Sequence, residues 1–157
     1  MPACEGGELH FHAECVGAWT TRDKDGRLFD TMLNQIATNG DLGKQLIVKI
    51  DVEGAEWDSF LLASDELFER IDQLSIEFHG VHEDRFVAAV RRLTRFFHVV
   101  NLHFNNFSCD PSLAPFPAAA YEVLFVSKRL GVVDESGTVT LPHPLDTPNN
   151  VDGPDCQ

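Results

Sequence analysis

The sequence predicts an α/β domain whose sheet is parallel at first and closes on an antiparallel hairpin, and three features carry that reading. Short apolar runs alternate with amphipathic helical stretches, the pattern of strands joined by helical crossovers. The run Leu46 to Ile50 is apolar except for Lys49, as a strand buried on both faces would be. The last two strand-like segments are linked by a Pro-bearing loop with no helix, which fits an antiparallel pair.

Leu9 to Trp19 reads as a strand and loop, with His10 and His12 on one face and left without an assigned role. Asp23-Lys24-Asp25-Gly26 is a turn. Leu28, Met32, Leu33 and Ile36 recur at helical spacing, and Asn39-Gly40 stops that helix. A strand follows over 46–52. Trp57, Phe60 and Leu61 make a short amphipathic turn, and Ser64-Asp65 caps a second one carrying Leu67, Phe68 and Ile71.

Leu74 to His79 is the next strand. His82-Glu83-Asp84 then opens a helix with Phe86, Val90, Leu93 and Phe97 on one face. Val99 to Phe104 and Tyr121 to Ser127 are the final strands, joined by the loop 107–118. The α/β domain therefore covers 9–128. The stretch 129–157, rich in Pro, Asp and Asn, is expected to lie over the surface as an extended tail.

A chain of 157 residues that is 43% hydrophobic, with 12 Phe, has enough apolar mass for one cored domain. Its net charge of −13 argues against a nucleic-acid partner and against an anionic membrane surface. Arg91, Arg92 and Arg95, the one basic cluster, read as a solvated helix face. There is no basic-then-apolar leader and no run long enough to span a bilayer, so a chain complete as written is expected to be soluble and cytoplasmic. Cys4, Cys15, Cys109 and Cys156 include no C-x-x-C pair; free thiols and two disulfides both remain open. No nucleophilic role is assigned to Cys15. Asn106-Phe107-Ser108 is a formal glycosylation sequon of a kind that chance often supplies.

The chemistry-bearing residues collect where strands end. Asp51, Glu53 and Glu56 follow the apolar run at 46–50, and in open α/β sheets ligands bind at the carboxyl ends of strands. The plainer alternative is that Asp51 and Glu53 only satisfy backbone donors in a strand-to-helix turn, with Glu56 a first-turn acid favourable to the helix dipole. Glu77 and His79 alternate along the next strand, so they share a face and point toward the same sheet edge. With His103 and Asn105 they make a polar acceptor pocket. Two His and two carboxylates also suit a divalent ion, but hydrogen-bonded strand-end residues are the preferred reading and no metal is assigned.

Lys49-Ile50-Asp51-Val52-Glu53-Gly54-Ala55-Glu56 resembles the signature of the FkbM-type S-adenosylmethionine-dependent methyltransferases, where it forms the fourth strand and the turn after it. Leu28-Phe29-Asp30-Thr31-Met32-Leu33 resembles the helix before that strand. Leu74-Ser75-Ile76-Glu77-Phe78-His79 resembles the fifth strand, and 98–127 resembles the reversed hairpin of strands six and seven. The resemblance implies a Rossmann-like class I methyltransferase fold and S-adenosylmethionine as cofactor. The methyl acceptor would be a hydroxyl on a sugar or small metabolite. It places Asp51 close to both methyl donor and acceptor, as a cofactor contact and as the group that orients or deprotonates the acceptor, with Glu53, Glu77 and His79 around it.

The family's Gly-rich loop after its first strand, and the acid ending its second, have no counterpart here; Gly6-Gly7 has no strand before it. The expectation is a domain lacking its first two strands, either an incomplete gene model or a chain that dimerises along the exposed edge at 46–52. Ile47, Val48, Ile50 and Val52 would lose cover there, at up to about 1.5–3 kcal/mol for each fully buried side chain. Two rivals accompany the enzyme reading. One is a non-catalytic remnant acting as an interaction or dimerisation module. The other is a metal-dependent hydrolase using Asp51, Glu53, His79 and His103.

Overall fold

In the computed structural model, which describes residues 9–80, 83–138 and 140–156, the apolar runs become strands and the periodic stretches become helices. Chain order is β1 (Cys15–Val16), β2 (Thr21–Arg22), β3 (Leu28–Asp30), α1 (Met32–Thr38), β4 (Leu46–Ile50), α2 (Glu56–Leu62), α3 (Asp65–Glu69), β5 (Ile71–His79), α4 (Asp84–Phe96), β6 (Phe97–Phe104) and β7 (Ala120–Ser127). The protein is α/β with two mixed sheets. The larger has the order β4-β5-β7-β6. Its β4 and β5 run parallel, while β7 is antiparallel to both neighbours and so lies reversed between β5 and β6.

Alternation along β5 sorts the sheet's two faces. Leu74, Ile76 and Phe78 are wholly buried, whereas Gln73, Ser75, Glu77 and His79 point the other way. Helices α2, α3 and α4 supply the buried side with Trp57, Phe60, Leu67, Phe68, Phe86 and Leu93. Trp57 is its centre, stacked at 4.5 Å on Phe78 and 4.0 Å on Phe86. At the carboxyl end of β5, Gly80 adopts φ +95°, and a Cβ there would come within 2.9 Å of the Phe86 ring. Only glycine fits that exit.

The opposite face is covered in part by the tail. Asn101 donates to Asp146 at 2.7 Å, Asn149 donates to Glu122 at 3.0 Å, and Asn106 donates to the carbonyls of Asn150, Gly153 and Pro154. A Cys109–Cys156 disulfide fastens the end of this strap. It answers the cysteine question for that pair, while Cys15 is a free thiol and Cys4 lies outside the described residues. The sequon at Asn106 is spent on holding the tail, since its amide is engaged by three carbonyls.

Several expectations are corrected. The segment Leu28–Asp30, expected to begin a helix, is a strand paired with β1 and β2 in a separate three-stranded sheet, and the Cys15–Val16 strand belongs there too. Asp30 explains the late helix start: its carboxylate accepts from Thr31 N–H, the Thr20 hydroxyl and the Asn34 amide, and Thr31 then caps α1 by accepting from Asn34 N–H. The turn at Asp23–Gly26 and the stop at Asn39-Gly40 are where the sequence predicts them, with Gly26 at φ +79° and Gly40 at φ +77°.

β4 is an edge strand rather than one buried on both sides. Ile47 is 79% exposed and Lys49 is exposed, while Val48 and Ile50 face the helices. The expected loss of cover is therefore greatest at Ile47, while Val48 and Val52 are partly buried and Ile50 is buried. Phe97 opens β6 instead of closing α4, yet stays buried. Arg92 does not belong to a solvated face: its guanidinium donates to Leu61 O at 2.7 Å, to Ala63 O and to Asp65, closing the carboxyl end of α2. His82, named as part of the α4 start, and Gly6-Gly7 lie outside the described residues.

Two stability measurements follow from this packing. Arg92→Ala should lower unfolding free energy by about 1–3 kcal/mol, because carbonyls at the α2 terminus lose their donor. Arg95→Ala, at an exposed position, should stay within about 0.5 kcal/mol. Reducing the disulfide, which closes a 47-residue separation, should cost about 4 kcal/mol on the chain-entropy model, read as a lower urea midpoint.

Candidate functional site

The site begins with a turn that the backbone makes at some expense. After β4 the chain passes through Asp51 and Val52 and reverses at Glu53 and Gly54, with φ +51° and +99°. Glycine accepts that conformation freely; a residue with a side chain pays about 1–2 kcal/mol. The turn is pinned from below by Glu56, the first residue of α2 and wholly buried. One of its oxygens accepts from Gly54 N–H at 2.8 Å. The other accepts from His79 N–H at 2.8 Å and lies 3.2 Å from His79 Nδ1. Trp57, the next residue, donates its indole N–H to His79 O at 2.7 Å. Consecutive residues of α2 thus grip both backbone polar groups of His79 and tie the end of β5 to the end of β4.

With Nδ1 engaged by Glu56, the other imidazole nitrogen faces outward into carboxylates. His79 Nε2 lies 3.5 Å from Glu53 Oε2, 3.8 Å from Glu77 Oε1 and 3.9 Å from Asp51 Oδ1. Glu77 in turn accepts from the Asn105 amide at 2.7 Å. Asp51, Glu53, Glu77, His79 and Asn105 are therefore brought together, as the sequence predicts. Exposure grades across the group, from Glu77 (12%) and His79 (22%) to Asp51 (44%) and Glu53 (85%). Among the described residues no Lys or Arg pairs with Asp51, Glu53, Glu56 or Glu77.

His103 is not part of this group. It sits on β6 opposite Glu122, which is itself opposite Glu77, so a whole strand separates it from β5. There it is buried between Glu122, 3.6 Å from Nδ1, and Asp155 of the tail, 3.4 Å from Nε2. The four-residue metal set Asp51, Glu53, His79 and His103 is not assembled. His10 and His12 are exposed, outside any helix or strand.

Glu56, which the sequence places among the strand-end acids and in the first turn of the helix, is also the buried anchor of the site, and nothing in a lone sequence marks a charged residue beside Trp57 as buried. Tyr121, across from Phe78 on β7, escaped the sequence reading. Burial pushes its hydroxyl pKa up to about 12, with the negative charge of Glu56 adding to the shift. Comparison with family models, with curated proteins and with solved structures returned no match.

Tyr121 is the sole tyrosine, so ultraviolet absorbance reads its ionisation without ambiguity. The folded protein should titrate near pH 12, against about 10 for a free phenol. Because the folded-state value is raised, the associated stability is complete below pH 10 and is lost as pH climbs toward 12. Tyr121→Phe should delay alkaline unfolding. Glu56→Ala strands the Gly54 and His79 donors in a buried place and should cost about 3 kcal/mol or more in chemical denaturation.

Proposed function

We propose that this chain carries the acceptor side of an S-adenosylmethionine-dependent O-methyltransferase of the FkbM type, acting on a hydroxyl of a sugar or small metabolite. The observation that carries the reading is the arrangement of the larger sheet. Its order β4-β5-β7-β6, with β7 reversed, is the arrangement expected of the carboxyl-terminal half of a class I methyltransferase. Asp51 and His79 stand at the carboxyl ends of adjacent parallel strands, the position at which such sheets take their ligands. The octapeptide 49–56 adds sequence support to that topology. One element of the resemblance is weakened, because 28–30 is a strand and not helix.

The cofactor, when bound, supplies an electrophilic methyl group. The described residues fit the acceptor half of such a site but not the nucleotide half: no strand ending in a Gly-rich loop lies beside β4, whose outer edge is unpaired among the described residues. The chain's own part is to receive the acceptor. Asp51, half-exposed at the mouth, orients the hydroxyl and takes its proton, while Glu53 and Glu77 flank it. Glu56 and Trp57 hold His79 rigid behind it, so the pocket wall is set before substrate arrives.

A second reading has one specific observation behind it. Ile47, 79% exposed on the open edge of β4, suits pairing with a second copy or another chain, as an interaction module would. Ile47→Lys would abolish such association in sedimentation and leave a monomer unaffected. No helix among the described residues is long and apolar enough to cross a membrane.

Calorimetric titration of S-adenosylmethionine, or its demethylated product, into the purified chain tests the first reading. Because the nucleotide half must come from a chain paired along β4, micromolar binding and acceptor methylation are expected of the paired form, and Asp51→Ala should abolish the methylation with folding retained. Undiminished turnover in Asp51→Ala would remove the site assignment, and no cofactor binding by folded chain would favour the interaction module.

A further inference from the structure

We propose that Asp51, Glu53 and His79 form a divalent-cation site, occupied by a borderline ion such as Mn2+ or Zn2+. One donor atom from each of the three lies within 4.8 Å of the others. On an ion with bonds of about 2.1 Å, neighbouring donors stand about 3–3.4 Å apart. Nε2 of His79 is already 3.5 Å from Glu53 Oε2 and 3.9 Å from Asp51 Oδ1, so a small side-chain movement completes the set. Glu53, the most exposed of the three, has the freedom to make that movement. One imidazole nitrogen with two carboxylate oxygens suits Mn2+ or Zn2+ better than Mg2+ or Ca2+, which prefer all-oxygen shells.

Two further observations point the same way. The far nitrogen of the imidazole faces a wholly buried carboxylate: Glu56 Oε1 lies 3.2 Å from His79 Nδ1 and also accepts from the His79 backbone N–H. A ligating histidine needs that kind of backing, which fixes the ring and raises the basicity of the free nitrogen. Charge is the second. Four carboxylates surround one imidazole within 4 Å, and no Lys or Arg among the described residues pairs with any of them. A divalent ion at Nε2 brings two positive charges to the place where Asp51, Glu53 and Glu77 converge. Glu77, 3.8 Å from Nε2 and held by Asn105, stands ready as a further ligand or as a partner for bound water.

The site shares Asp51, Glu53 and His79 with the methyl-transfer reading, but its argument rests on donor geometry and charge alone, so either reading can fail without the other. Mn2+ titration into the purified chain, followed by loss of the free-ion paramagnetic resonance signal, tests it. The expected result is saturable binding of one ion per chain at sub-millimolar concentration, with a rise in thermal midpoint on adding MnCl2. Glu53→Gln and His79→Gln should each weaken binding at least tenfold and erase the thermal shift. Glu69→Gln, an exposed acid on α3, should change neither. Glu53 is exposed, so its variant folds whatever becomes of the histidine variant. No saturable binding by wild type, or equal binding by Glu53→Gln, would overturn the proposal. Mn2+ binding without cofactor binding would leave the cation site standing and count against methyl transfer; the converse would do the reverse.

Discussion

The buried carboxylate of Glu56 is the constraint on which the site depends. It reaches one way to the turn after β4 and the other way to the last residue of β5, so two strand ends are fastened through a single side chain. A buried acid is tolerable only if its oxygens are satisfied, and here each accepts a backbone N–H. The energetic asymmetry of such groups makes the arrangement rigid: keeping the bonds contributes modestly, while losing one partner leaves an unpaired polar group in the core. Trp57 extends the same logic into the apolar layer. Its ring stacks between Phe78 and Phe86 while its N–H holds His79 O, so the core and the site share one residue.

From that fastening follows a division between the two faces of the larger sheet. The helical face is packed with aromatic side chains and supplies the stability. The other face is polar near β5 and is covered beyond it by the tail strap, whose anchors are the disulfide and the Asn106 amide. Between strap and β4 edge the strand ends stay open to solvent, and the acids gather there. Apolar cover would have been unfavourable for four carboxylates, and their exposure grades outward from buried Glu56 to Glu53 at the rim.

Much of this was legible in the residues. Alternation of apolar runs with helical periodicity located β4, β5, β6, β7 and α4 to within a few residues, because burial of one face imposes a period of two on strands and 3.6 on helices. Strand-end acids placed the site at Asp51, Glu53, Glu77 and His79, and Asn105 joins them as predicted. The strand Leu28–Asp30 was misread because its apolar residues share the helical phase of Met32 and Ile36. The competing signal, a polar network around Asp30, depends on Thr20 from another segment. Arg92 was misread for a similar reason, since its carbonyl partners on α2 lie some thirty positions earlier in the chain.

By itself, then, the sequence determined which segments carry apolar faces and which residue types stand at the strand ends, since both are local consequences of side-chain chemistry. Only the tertiary structure decided which strand ends meet. It set β7 between β5 and β6, removed His103 to the strap, and aimed Nε2 of His79 at Asp51 and Glu53. Those outcomes turn on strand order and on one buried hydrogen-bonded carboxylate, and neither has a signature in residues that are distant in the chain and adjacent only after folding.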